Sequence, residues 1–483
     1  MTPMALQTFG ECLRAWMRDR GCTNARLAQL THEKSGTTIS RLLHDQCTAQ
    51  RCAAYLDTLL ACVPDITPEE ASAFRRSVDV TRFGKPQYRA NQVFLRLMTD
   101  AQGIAPAAGT VCDEALLRLL LPWTGDGPCE VLCFGCFDAR VLGTLGALLR
   151  QVQSPLTITH YFVEELHADL IFLLEHTLLM LGDARYQLIS FRSGSDLRPS
   201  GVAMQDALLL HNAEGGTRLI LPVSGGSPLV KDFPPDSDLF GFYRQALKAD
   251  EARQHRYSSD FGQGSAVDFV AFLTSCLHYE SNRSVFHLKP DLGTEYMPVG
   301  IVRDNFQTWV AAHPEYASVS DHLVALYTRR HQNLYEKKRP HMLVMSKDAM
   351  VSFARTGRTA DHPFCLRPFT PEERADILDD LIRQAERSAH FIPLVLRDPA
   401  AMPQHQLIAY DDLGLLICDA RTDYSLDGYS EVFLRSPLVA AQFKTFLLDA
   451  VCRDMAESPT ESLNFLRSLS DRVKAENPDC HIP

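Results

Sequence analysis

Between Cys129 and Phe191 the apolar pattern switches repeatedly between two periods, and that alternation limits the fold more than any other stretch. CEVLCFGCF (129–137) is an apolar run of strand length, and ARVLGTLGALLRQV (139–152) repeats with helical period. LTITHYF (156–162) is strand-like, VEELHADLIFLLEHTLLML (163–181) helical, and YQLISF (186–191) strand-like again. Such alternation predicts parallel strands joined by crossover helices, since a parallel neighbour is reached only through a connection long enough to cross the sheet. The later runs DALLLHN and TRLILPVS extend the series. Sheets of this kind take ligands at the carboxyl ends of their strands. The loop after the first run, holding Gly135 and Asp138, is therefore the first place to look for an effector cleft, with Glu164 beyond the second strand.

A chain of 483 residues exceeds a single core and fits two to four domains. The expected fold class is multidomain α/β, with an N-terminal all-α helix-turn-helix bundle, a central α/β parallel-sheet domain and a C-terminal α+β module. The boundaries fall at 1–65 for the bundle, 66–110 for a helical connector, 111–340 for the α/β domain and 341–483 for the module. Thr67-Pro68-Glu69-Glu70 opens the connector with a cap, a first-turn proline and a capping-box acid, and Thr370-Pro371-Glu372-Glu373 repeats the device. The aromatic stripe of the connector predicts packing against the next domain or a second subunit. In the module FIPLVLRD (391–398), QLIAY (406–410) and LGLLICDA (413–420) read as strands, the last two a hairpin across Asp411-Asp412.

Motifs that carry chemistry are incomplete. Cys129, Cys133 and Cys136 have the C-x3-C-x2-C spacing of radical S-adenosylmethionine enzymes, but on a strand Cys129 and Cys133 share one face and Cys136 takes the other. Glu130 to Cys136 is similar to a strand entering the glycine-rich turn of S-adenosylmethionine methyltransferases, the alternative reading, yet Phe137 and Ala139 stand where further glycines would let backbone approach a cofactor. His287-Leu288-Lys289 resembles the start of the phospholipase D motif H-x-K-x4-D, but Thr294 occupies the Asp position and no second copy exists. Asp361, His362 and Cys365 lack a second ligand-spaced cluster. No catalytic residue, metal or cofactor is assigned.

Charge points to the N-terminus. Residues 1–90 hold 12 Lys+Arg against 9 Asp+Glu, leaving 36 against 50 in the remainder of a chain whose net charge is −11. Only the first segment is suited to phosphate contacts. There TNARLAQLTHEKSGTTISRLLHDQ (23–46) reads as two short helices and a polar turn. With flanking helical runs over 8–63 it resembles the phage-repressor (XRE, Cro/CI) helix-turn-helix class, although Ala28 and Ile39 lie one residue further apart than the usual turn places them. The resemblance implies that the third helix lies in the major groove. Carried to this sequence, Thr37, Thr38, Arg41 and His44 face the groove, Ser40 joins them on the same exposed, DNA-binding face, and Lys34, Ser35 and Gln46 touch the backbone. It implies double-stranded DNA as partner; a homodimer is expected because one small domain offers few base contacts, and the α/β region is expected to sense a small-molecule or peptide effector. Neither a basic-then-apolar leader nor an uncharged apolar tract appears, so a cytoplasmic chain without a membrane partner is expected, and its 14 cysteines read as reduced core residues.

Overall fold

The computed structural model describes residues 6–99, 112–163, 185–191, 206–249, 254–256, 266–359 and 367–476, with Ile171 and Met180. Short gaps within these ranges fall at 34–35, 126, 137, 223–226, 315–316, 337–338, 399–402, 404 and 420–430. The chain divides into two compact units, Met1–Gln92 and Val93–Pro483. It is mixed α/β, and among the described residues no helix is long and apolar enough to cross a membrane.

The first unit is all helical: α1 (Phe9–Asp19), α2 (Asn24–Leu30), α3 (Gly36–Leu43), α4 (Ala49–Cys62), α5 (Pro68–Phe83) and the start of α6 (Lys85–Thr99). Thr8, Thr23, Thr48 and Thr67 cap α1, α2, α4 and α5 through their hydroxyls, satisfying amides that the first helical turn leaves open. One core gathers Phe9, Leu13, Trp16, Leu27, Ile39, Leu42, Tyr55, Leu59 and Phe74. Phe74 sets the limit of this bundle. Its ring lies 5.8 Å from Phe9 and 6.2 Å from Trp16, so α5 belongs to the bundle and the expected connector does not begin at 66. Phe74 and Val78 point into the preceding helices, whereas Phe94, in the second half of the stripe, packs on Phe443 (5.2 Å) and Phe446 (5.4 Å) within the second unit.

The second unit contains two sheets. The first has strands β1 (Cys129–Phe134), β2 (Leu156–Val163), β3 (Tyr186–Phe191), β4 (Ala207–Asn212), β5 (Thr217–Leu221), β6 (Leu229–Phe233) and β7 (Gln254–Arg256), in the order β6-β5-β4-β1-β2-β3-β7. Strands β1 to β3 are parallel as expected, but β4 runs antiparallel to β1 and β5 antiparallel to β4. The sheet is mixed, correcting the all-parallel expectation. No helix separates DALLLHN from TRLILPVS; the chain reverses at Gly215 (φ 82°), so the second run returns as a hairpin.

The second sheet has strands β8 (Val285–Leu288), β9 (His341–Met345), β10 (Phe391–Val395), β11 (His405–Tyr410), β12 (Gly414–Asp419) and β13 (Glu431–Leu434), in the order β10-β9-β8-β11-β12-β13. The β11–β12 hairpin forms as expected. The division at 340/341 does not, because β8 and β9 are parallel neighbours across it. Topologically this sheet repeats β3-β2-β1-β4-β5-β6: in both, three parallel strands are followed by three that alternate in direction. The unit is thus a duplicated mixed α/β arrangement where a parallel sheet and an α+β module were expected.

Candidate functional site

In the first unit Leu27 and Ala28 are the buried face of α2, and Ile39, Leu42 and Leu43 that of α3. At 100° per residue the opposite side of α3 carries Thr37, Arg41 and His44, all exposed, with Thr38 and Ser40 half-buried on its flanks and Gln46 exposed beyond its end. Lys34 and Ser35 lie outside the described residues. Gly36, expected in the turn, is the first residue of α3. Arg20, Arg51 and Lys85 are tied to Glu70, Glu33 and Glu11, whereas Arg41 has no ion pair among the described residues.

The angle of α3 is set by a residue that sequence reasoning missed. Asp45, just past its end at φ 52°, accepts hydrogen bonds from the Gly10 amide (2.9 Å) and the Thr8 hydroxyl (2.8 Å), placing a carboxylate on the positive N-terminus of α1. Gly10 permits the approach: a Cβ there would sit 2.6 Å from the Leu42 carbonyl oxygen and 2.9 Å from that of Leu43. The available signal was a glycine two residues after a helix cap.

In the first sheet the residues of the expected cleft have backbone duties. Gly135 and Cys136 leave β1 at φ 70° and 53°, and the Cys136 amide is taken by Asp206 Oδ1 at 2.9 Å. His160 hydrogen-bonds the Gly135 carbonyl with Nε2 and the Tyr186 hydroxyl with Nδ1 (2.8 Å). Asp138 caps the helix Ala139–Gln151 through the Arg140 amide at 2.8 Å. Glu164 lies outside the described residues, as do Asp361, His362 and Cys365. The left-handed turn also brings Cys136 back beside Cys133, so the two are neighbours where strand alternation placed them on opposite faces; β1 ends at Phe134, before Cys136. Burial pushes the Cys133 thiol well above its ordinary range and Cys129 to about 11. No group of three His, Cys, Asp or Glu suited to a metal occurs among the described residues.

The densest chemistry lies at the end of β8. Lys289 Nζ meets Glu295 Oε1 at 2.6 Å, and Arg330 grips Glu280 through Nε and Nη2 (3.0 and 2.6 Å) while standing 3.9 Å from Glu295. The Tyr296 hydroxyl lies 2.6 Å from both His287 Nδ1 and His341 Nε2. His287 and Tyr296 are 0% exposed, Glu295 1%, Lys289 2%, Arg330 and Glu280 3% and His341 4%. Burial depresses both imidazoles, His341 to about 3 and His287 well below the usual range. The Glu295 carboxyl is held far down by Lys289 and Arg330 against the opposing effect of burial, while burial raises that of Glu280 even beneath Arg330. The H-x-K element is thereby explained locally, its ammonium matched by a carboxylate six residues on. His341, Arg330 and Glu280 join it from elements that no spacing connects to it.

No family model matches the chain, and no curated protein matches it. Among solved structures, phosphatidylserine synthase from Haemophilus influenzae Rd KW20 is similar at 9% identity and a TM-score of 0.26, over 76% of this chain and 93% of that one. Polyphosphate kinase from Porphyromonas gingivalis is similar at 10% identity and a TM-score of 0.21, over 75% of this chain and 55% of that one. At TM-scores this low neither likeness bears on fold or activity.

Proposed function

We propose that the chain is a sequence-specific, DNA-binding transcriptional regulator of the helix-turn-helix kind, cytoplasmic and homodimeric, whose larger unit responds to a small-molecule or peptide effector. One observation carries the reading: α3 buries Ile39, Leu42 and Leu43 and turns Thr37, Arg41 and His44 outward. An exposed arginine beside small hydroxyl residues suits a major groove, where guanidinium reads guanine and threonine methyls meet thymine. Two-fold pairing follows from the few base contacts that one eight-residue helix offers. The competing reading, a methyltransferase-like enzyme, has against it that Asp206 already occupies the Cys136 amide on the turn where a cofactor would lie.

Gel shifts of the full-length protein against genomic fragments test the proposal. A preferred fragment should emerge, with affinity falling steeply with salt. Arg41→Ala should weaken it by about 1–3 kcal/mol, the worth of one bidentate base contact. Equal binding to all fragments at moderate salt rejects the reading, and S-adenosylmethionine binding that Gly135→Trp abolishes favours the enzyme.

A further inference from the structure

The proposed function does not use the cluster at the end of β8, and the hydrogen-bond arithmetic of that cluster is unusual. Tyr296 has one hydroxyl proton and stands between two ring nitrogens. His287 Nδ1, 3.5 Å from Glu295 Oε1, is the natural donor to the tyrosine oxygen, so Tyr296 donates to His341 Nε2. His287 Nε2 is then a bare lone pair, buried and without a hydrogen-bond partner. A proton added to His287 must go to that nitrogen, where no acceptor waits. One added to His341 turns an N–H against the tyrosine hydroxyl and strands the phenolic proton.

The neighbouring cations Lys289 and Arg330 disfavour a further positive charge on either ring. Lys289 and Glu295 face the histidines from the loop after β8, Glu280 from the helix Ala266–Glu280, and Arg330, His331 and Tyr335 from the helix Ala317–Glu336. Asp380 acts on His331 and Tyr335 from the helix Pro371–Arg387, and Tyr410 on β11 is influenced by Glu280 and Arg330. Among the described residues, the cations Lys289 and Arg330 stand with the carboxylates Glu295 and Glu280 next to the imidazoles. The loop that this arrangement holds, Pro290 to Met297, is buried throughout, unlike most connections.

We propose that the His287–Tyr296–His341 relay is an acid-sensitive latch, which keeps the loop after β8 packed at neutral pH and releases it when the imidazoles take up protons. The sign is fixed. The folded state holds both rings neutral, so the closed form is fully favoured above the unfolded imidazole range near pH 6.5 and loses ground as pH falls below it. Each proton taken up on opening multiplies the opening constant about sixteen-fold between pH 6.5 and 5, or about 270-fold for both. Unperturbed carboxylates titrate below this window, whereas Glu280, raised by burial, takes up its proton in the closed form and so works against opening.

Hydrogen exchange of the full-length protein, corrected for the intrinsic pH dependence of exchange, reads the opening peptide by peptide. Protection over 285–297 and 330–345 should fall between pH 6.5 and 5 by at least the single-imidazole factor, while the first sheet (129–134, 207–212) keeps its protection. His287→Asn with His341→Gln, which preserves the neutral hydrogen-bonding positions, should flatten the profile. Unchanged protection, an equal loss in both sheets, or an undiminished pH response in the double variant overturns the proposal. Should that variant not fold, NMR of 13C-histidine-labelled wild type decides: either ring titrating near pH 6.5 with the loop still protected refutes the latch.

Discussion

Asp45→Ala tests what aims α3. The carboxylate accepts a part-buried amide hydrogen bond from Gly10 and an exposed one from Thr8. A hydrogen bond to a charged group contributes about 1.5–3 kcal/mol when partly shielded, and the exposed one adds little. The charge on the α1 N-terminus adds about 0.3–1 kcal/mol. Alanine is also less at ease than aspartate at φ 52°. Together these predict a loss of roughly 2–4 kcal/mol, confined to the first unit. Trp16 is the sole tryptophan of that unit, so its fluorescence in a Trp123→Phe/Trp309→Phe background follows that unit's melting. For about 90 residues the loss converts to a midpoint about 10–25 °C lower. Asp45→Asn, which keeps an oxygen acceptor and tolerates left-handed backbone, should retain about half of the stability. If Asp45→Ala melts within about 2 °C of its parent, or Asn costs as much as Ala, the staple between α3 and α1 does not act as described.

Lys289→Met leaves the Glu295 carboxylate enclosed with, among the described residues, Arg330 at 3.9 Å and His287 at 3.5 Å, and should cost about 3–5 kcal/mol in urea unfolding. Adding Glu295→Gln should restore much of that loss, so a double variant as unstable as the single would contradict the pairing. Gly357 caps the helix Lys347–Thr356 at φ 69°, and a Cβ there would press on the Phe369 carbonyl, whereas at Gly21 (φ 58°) it would meet nothing within 4 Å. Gly21→Ala should therefore cost about 1 kcal/mol and Gly357→Ala distinctly more, as thermal melts of the two variants will reveal.

Local signals were legible, because each is settled by neighbours in sequence. Thr67 with Glu70 and Thr370 with Glu373 form capping boxes where their spacing put them, and the apolar period of α3 gave its buried face. Direction was not legible. The same stripe of α5 suits an outer partner as well as the Phe9–Trp16 core, and β5 reverses against β4 because a hairpin rather than a helix joins them. The strand VFHL is four residues long, and its two neighbours, β9 and β11, come from far along the chain. The candidate interface was found because helical period alone selects Thr37, Arg41 and His44. The latch was missed because His287 and His341 meet only through Tyr296 and parallel β8–β9 pairing.

The repeated topology gives those distant residues a shared logic. In each sheet the strand that switches from parallel to antiparallel neighbours, β1 or β8, ends at a turn that the chain fills with its own polar groups. At β1 the stopper is Asp206, one residue ahead of β4, with His160 from β2; at β8 it is Lys289 and Glu295, with Tyr296 reaching back to His287 and, level with the start of β8, His341. The two stoppers differ in what opening costs. Releasing Asp206 from the Cys136 amide frees a carboxylate that already faces water, which solvates it. Releasing the β8 loop separates an enclosed ion pair and frees buried imidazoles, so its cost falls with each proton bound. A ligand that recognises the open β8 end must therefore bind more tightly in acid, and by reciprocity must raise the pH at which the loop opens.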